Sequence, residues 1–256
     1  MSQTSLQFIG NTPVYQLDNS NIYVKLEKYN LGGSVKDRAV LGMIQAAQAA
    51  GAVTPETIFV EPSSGNTGIA VALLASVLGL KAVVIMPESF SVERRQLIKA
   101  YGAQLVLTPK EGGMKAAIAK AEEIKSRYPN AIILSQFDNP ANPAYHHQTT
   151  GKEILEQVPD LDIFVAGIGT GFLPGNFKPE LANQVLTISN DEAFAEAKDF
   201  IRTTGIGVGI SSGAALAGAK KLAAQYPDKK IVTILPDGLE KYLSVLDFEG
   251  GNYVQV

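Results

Sequence analysis

The 256-residue chain contains no cysteine and no tryptophan, and only two histidines, adjacent at His146 and His147. Without cysteine there is neither a disulfide framework nor a thiolate metal site. A single histidine pair is poor material for zinc, so no metal centre is expected. Long apolar runs are also missing. The most hydrophobic stretch, residues 69–80, is too short to span a bilayer and is alanine-rich like a buried helix. Nor is there an excess of charge: 22 basic against 25 acidic residues leave a net charge of -3, which argues against electrostatic binding to nucleic acid. The first ten residues, M-S-Q-T-S-L-Q-F-I-G, lack a charged segment followed by an apolar run, and no secretory leader is expected. What remains is the expectation of a soluble cytoplasmic α/β protein, long enough for one large domain or two modest ones.

What is present alternates. Short β-branched runs separated by helical periodicities point to βαβ units and parallel sheet. Strands are predicted at 22–26, 57–60, 82–86, 104–107, 131–134, 163–166, 185–188 and 230–235. Helices are predicted at 35–49, 67–78, 92–101, 113–126, 151–157, 192–203 and 213–225. Ser34, Ser91 and Asp191 precede helical runs as candidate N-caps. The proline-rich loop 138–143 is the best seam between domains.

Glycine-rich loops interrupt this pattern at telling places. N-L-G-G-S-V-K-D-R (30–38) sets two glycines, a serine and a lone lysine, Lys36, at the start of an amphipathic helix. Such a loop brings backbone N–H groups close to an anion or a flat ligand, and Lys36 is then either a surface charge or a reactive amine. E-P-S-S-G-N-T-G (61–68) follows a predicted strand, where open parallel sheets bind ligands. Its Ser63, Ser64, Asn66 and Thr67 side chains and the positive end of the next helix suit a carboxylate, although a capped turn would look the same. V-A-G-I-G-T-G (165–171) and G-I-S-S-G-A-A (209–215) are weak signals alone, and neither has the spacing of a nucleotide phosphate loop.

Read together, these segments carry more. With I-G-N-T-P (9–13), S-V-E-R-R-Q-L-I-K-A-Y-G-A-Q-L-V-L-T-P (91–109) and Q-F-D-N-P-A-N-P (136–143), in this order, the chain resembles the fold-type II pyridoxal-phosphate enzymes, most closely the cysteine synthases, or O-acetylserine sulfhydrylases. The resemblance implies two open, mostly parallel α/β domains with the active site in the cleft between them. Residues 37–139 would form the smaller domain, and 1–36 with 140–256 the larger. Lys36 would hold pyridoxal 5'-phosphate as a Schiff base and, once released, remove the substrate Cα proton. That requires a neutral amine, which desolvation favours. By the same resemblance, Asn66 bonds the cofactor's ring hydroxyl and Ser211 faces its pyridine nitrogen. Gly169, Thr170 and Gly171 begin the phosphate cradle, while Ser63, Ser64, Thr67 and Gln136 hold the substrate carboxylate.

The implied activity is β-replacement, cysteine from O-acetylserine and sulfide. A cystathionine β-synthase or cysteine-lyase activity is the nearest alternative, and a catalytically silent cofactor-binding or regulatory paralogue is the other. A homodimer and a serine acetyltransferase partner are further implications. Asp37 and Arg38 are expected to be structural, His146 and His147 to pack, and Glu93, Arg94 and Arg95 to form a solvated helix face.

One departure stands out. G-I-G-T-G runs directly into F-L-P-G-N-F, where the family carries an intervening helix–strand unit of the order of 30 residues or more. Because both flanks keep family sequence, the Cα atoms of Gly171 and Phe172 are expected to lie much farther apart than the ~3.8 Å of a trans peptide. A direct splice would instead leave sheet ladder groups unpaired.

Overall fold

Two four-stranded sheets organise the molecule, seen in a computed structural model that describes residues 3–63, 65–167 and 173–246. The first is entirely parallel, in the order β5 (Gln104–Thr108), β4 (Lys81–Pro87), β3 (Ile58–Pro62), β6 (Ala131–Ile133). Its strands read as near-continuous apolar runs because both faces are covered. Val60 and Ile85 pack against Ala117 and Ala121 of helix α4 (Gly113–Arg127). On the opposite face Phe59 joins α1 (Lys36–Ala49) and α2 (Asn66–Leu78), and Val84 and Met86 join Ile69 of α2 and Ile98 of α3 (Val92–Ala100). The period-2 alternation thus sorts neighbouring residues onto separate cores.

The second sheet has the order β1 (Val14–Gln16), β2 (Ile22–Leu26), β8 (Ile231–Leu235), β7 (Ile163–Val165), with only the β1–β2 pair antiparallel. Helices α7 (Asn190–Thr204) and α8 (Ile210–Gln225) cover one face through Phe200, Leu216 and Ala219. Ile154 of α6 (Thr150–Gln157) covers the other against Val232. The α7–α8 contact is unusually close: a Cβ built on Gly213 would stand 1.9 Å from the Ala193 carbonyl oxygen. We therefore expect Gly213→Ala to push the helices apart and cost about 1–3 kcal/mol, measured by urea unfolding. An unchanged unfolding midpoint would refute this account of the packing.

Several sequence expectations about the elements need correction; among them, the residue capping α1 is Val35 and not Ser34. Residues 185–188 are not a strand: Val185 is 77% exposed, and among the described residues β7 pairs only with β8, so no neighbouring strand is there to receive them. Residues 141–148 form a helix, α5 (Ala141–Gln148), whose first turn overlaps the stretch 138–143 read as a proline-rich loop. Pro140 and Pro143 sit at its N-cap and in its first turn, where a missing N–H costs little. Ser189, rather than Asp191, caps α7, in a reciprocal capping box with Glu192. The junction Gly171–Phe172 lies outside the described residues. No described helix is long and apolar enough to cross a membrane.

Candidate active site

The carboxyl ends of the two sheets' central strands meet. Beyond β3 the chain enters the loop starting at Ser63, and beyond β8 it reaches Pro236 and Asp237. Asn66 Nδ2 donates to Asp237 Oδ2 at 2.6 Å, joining these two ends. Such convergence is where open α/β sheets place ligands.

The glycine pair before Lys36 is explained by close approach. Gly33 has φ +77°, and a Cβ there would lie 3.0 Å from Lys241 Nζ; a Cβ on Gly32 would lie 2.7 Å from Asp37 Oδ1. The buried Lys241 amine donates to Gly32 O at 3.1 Å and Gly33 O at 2.5 Å, and Val35 N donates to Pro236 O at 2.9 Å. The loop is thereby stitched to the segment after β8, and α1 starts at Lys36 with its direction fixed. Asp37 Oδ2 accepts from Gly32 N at 2.6 Å, and burial raises its carboxyl to about 6. Arg38 anchors the same turn. It forms two-pronged ion pairs with Glu27 (2.7 and 2.9 Å) and Glu153 (2.6 and 2.7 Å), and Lys25 completes the cluster on Glu153 at 2.7 Å. Both residues act structurally.

Lys36 itself differs from the other two interior lysines. Lys25 and Lys241 have their amines satisfied by carboxylate, amide or carbonyl oxygens. Among the described residues nothing hydrogen-bonds or ion-pairs with the half-buried Lys36 amine. Burial lowers its pKa, partly opposed by the nearby charge of Asp237. At the joined strand ends, Asn66 Oδ1 and Asp237 Oδ1 are buried without partners among the described residues, while Asp237 Oδ2 also accepts from Tyr242 at 2.6 Å.

Of the other sequence candidates, Thr67 Oγ1 donates to Gln136 Oε1 at 2.8 Å, bringing two proposed carboxylate ligands together. Ser63 is buried and its hydroxyl accepts from Gly68 N at 2.9 Å and Gly65 N at 3.2 Å, holding the turn itself. Ser211 is exposed in the first turn of α8, and the adjacent Ser212 hydroxyl is buried without a partner among the described residues. Ser64, Gly169, Thr170 and Gly171 lie outside the described residues.

Residues 93–95 are not a solvated helix face. Arg94 is half-buried, its guanidinium carbon 4.7 Å from the centre of the Tyr242 ring, and Glu93 accepts from Ser244 N and Oγ at 2.9 Å each. The segment after β8 therefore reaches over to α3, a tertiary contact that helical periodicity cannot reveal. Asp237, Tyr242 and Lys241 escaped sequence reading. The available signal was P-D-G directly after the strand I-V-T-I-L. His146 packs as expected: Nδ1 lies 2.8 Å from Thr150 Oγ1, and burial lowers its pKa to about 4.

Residues 5–175 match the family described as pyridoxal-phosphate dependent enzyme. A cysteine synthase of Staphylococcus aureus (strain Mu50) is 39% identical over 293 aligned positions, covering 93% of this chain and 94% of its own. The chain belongs to the cysteine synthase family of pyridoxal-phosphate enzymes. A cysteine synthase of Flavobacterium sp. is 51% identical over 175 positions, covering 66% of this chain and 57% of its own. Among solved structures, O-ureido-L-serine synthase superposes with a TM-score of 0.91 at 32% identity, covering 98% of this chain and 96% of that one. A hydrogen sulfide-producing enzyme of Fusobacterium nucleatum gives 0.88 at 32% identity, covering 95% and 100%. The fold is that of the family, fold-type II. The 293 aligned positions exceed the 256 residues here, so this cysteine synthase family member lacks residues that the Staphylococcus aureus relative carries.

The residues on the β3 and β8 ends fit the family's cofactor. A desolvated amine without a partner can add to an aldehyde, and the orphan Asn66 oxygen marks an amide not yet saturated by protein.

Proposed function

We propose that the chain catalyses β-replacement, converting O-acetylserine and sulfide to cysteine and acetate. The observation carrying this reading is the half-buried Lys36 amine, lowered in pKa and without a partner among the described residues. In this reading Lys36, Asn66 and Ser211 hold pyridoxal 5'-phosphate, together with Gly169, Thr170 and Gly171. The bound cofactor would supply the sink for the electron pair left at the substrate Cα. Thr67, Gln136, Ser63 and Ser64 orient the substrate carboxylate. Lys36 Nζ, uncharged, takes the Cα proton as acetate leaves, and returns it to Cα once sulfide has added. The test is to load the protein with pyridoxal phosphate and follow its absorbance on adding O-acetylserine, then assay cysteine after adding sulfide. No spectral change and no cysteine would overturn the proposal.

The carboxylate clamp has its own test. Each buried charge-assisted hydrogen bond contributes roughly 1.5–3 kcal/mol. Ser64→Ala or Gln136→Ala should therefore weaken amino-acid binding by roughly tenfold or more, with cofactor content little changed. Unchanged affinity would return the loop to a purely structural role.

A catalytically silent cofactor-binding paralogue is the second reading, favoured by the residues missing relative to the Staphylococcus aureus protein. A cofactor band that ignores O-acetylserine would support it. The proposal includes a division into 37–139 and 1–36 with 140–256, because each part contains one sheet. It also includes a cytoplasmic homodimer able to bind serine acetyltransferase, testable by sedimentation and by a pull-down with that purified enzyme.

A further inference from the structure

Glu61 is the oddest carboxyl in the molecule. It occupies the last turn of the pleat in β3, next to the loop that begins at Ser63, and is 2% exposed. Among the described residues no cation compensates it. Among the described residues Oε2 is buried with no partner, and Oε1 receives only a long 3.4 Å hydrogen bond from Gln136 Nε2. Gln136 in turn accepts from Thr67 through Oε1 at 2.8 Å. A chain of three side chains therefore runs from Glu61 through the Gln136 amide to the Thr67 hydroxyl.

We propose that Glu61 is a positioning residue for amino-acid binding: its protonation state decides which way the Gln136 amide is committed. This rests on the reading of Thr67 and Gln136 as carboxylate ligands. Two arrangements compete. With Glu61 as the neutral acid, Gln136 Nε2 is held only by the long contact and can turn to an incoming carboxylate. With Glu61 ionised, the same N–H is drawn into a charge-assisted bond to Oε1, and the new negative charge opposes a carboxylate in the clamp. Burial raises the Glu61 carboxyl to about 8, so the neutral acid prevails at neutral pH. Its level in the sheet pairs it with Val84 of β4, and no charged group on β4, β6, α2 or α4 contributes to that shift among the described residues. Retaining a buried carboxyl without a counter-ion is costly, and an apolar or amide side chain would fill the site more stably.

The experiment measures L-serine binding to the pyridoxal-phosphate-loaded protein by titration calorimetry between pH 7 and 9. L-serine supplies the carboxylate and amine without an acetyl leaving group. Because the amine of L-serine titrates equally for every variant, the informative quantity is the ratio of dissociation constants, wild type to Glu61→Gln. One linked proton changes affinity by at most about tenfold per pH unit, and the ratio should rise roughly tenfold over this range. Glu61→Leu serves as a second variant lacking the titration, should the glutamine protein fold poorly. A ratio independent of pH for both variants overturns the inference. Gln136→Ala separates this from failure of the functional reading. If it leaves L-serine affinity unchanged, the clamp itself is wrong. If it weakens binding while the Glu61 ratio stays flat, only the role of Glu61 falls. A supporting readout is stability. A carboxyl raised on folding stabilises fully below its unfolded pKa, and that contribution disappears as pH rises through about 8. The urea midpoint of the wild type should therefore fall relative to Glu61→Gln between about pH 4.5 and 8.

Discussion

Lys36→Ala should abolish cysteine formation while leaving the fold intact. General acid–base catalysis alone contributes about 10²–10⁴-fold, and this side chain is also the proposed cofactor anchor, so the loss should lie at or beyond the upper end. The residue is tolerant of truncation because its amine binds nothing else among the described residues, whereas the backbone at this turn is held by Ser34, Pro236 and Asp37. Borohydride reduction of the loaded wild type, followed by peptide mapping, should place the pyridoxyl label on Lys36. Labelling of Lys25 or Lys152 instead would sink the assignment. Lys25 is a poor competitor, since its amine is committed to Thr12 O, Glu153 and Gln157 at 2.7 Å each.

Arg38→Ala should give the largest stability loss in the molecule. Arg38 and Glu27 are completely buried, and Glu153 is only 13% exposed. Removing the guanidinium leaves Glu27 without its cation in the interior and Glu153 with Lys25 alone, a change that typically costs about 3–5 kcal/mol, a large share of the roughly 5–15 kcal/mol that holds a domain together. Arg38→Lys should recover little, because a point charge cannot serve two carboxylates bidentately. Urea unfolding checks both variants, and a loss below about 1 kcal/mol, the usual worth of an exposed ion pair, would show that the network is incidental. The acid side offers a second check. Burial pushes Glu153 upward, but hydrogen bonds from Arg38 and Lys25 prevail and bring it down to about 2. A depressed carboxyl contributes stability above its unfolded pKa and loses it as pH falls through its folded value. The wild type should therefore hold this contribution at pH 5 and shed it between about pH 4.5 and 2, and Arg38→Ala should lack most of that step.

Much of this was legible without coordinates. Seven of the eight predicted strands correspond to observed ones, because buried parallel strands impose β-branched runs that stand out against amphipathic helices. Lys36 could be singled out because glycines at a helix start are locally constrained. The strand predicted at 185–188 failed for the opposite reason: β propensity describes a willing surface, and a ladder forms only where a neighbour exists. Helix α5 was hidden by two prolines that its first turn accommodates.

By itself, then, the sequence determined most of the strand–helix alternation and the family, and it singled out Lys36 as the lysine proposed for catalysis, since each is written in contiguous residues or in the order of short motifs. Tertiary structure alone decided what surrounds that lysine. Asp237 meets Asn66 from 171 positions away, Lys241 holds the glycine loop from 208 positions away, and Arg94 leaves the solvent to cover Tyr242. The same holds for Glu61. Its want of a counter-ion among the described residues is a property of the packed interior, where burial and distance set the cost of charge, and neither is visible along a chain.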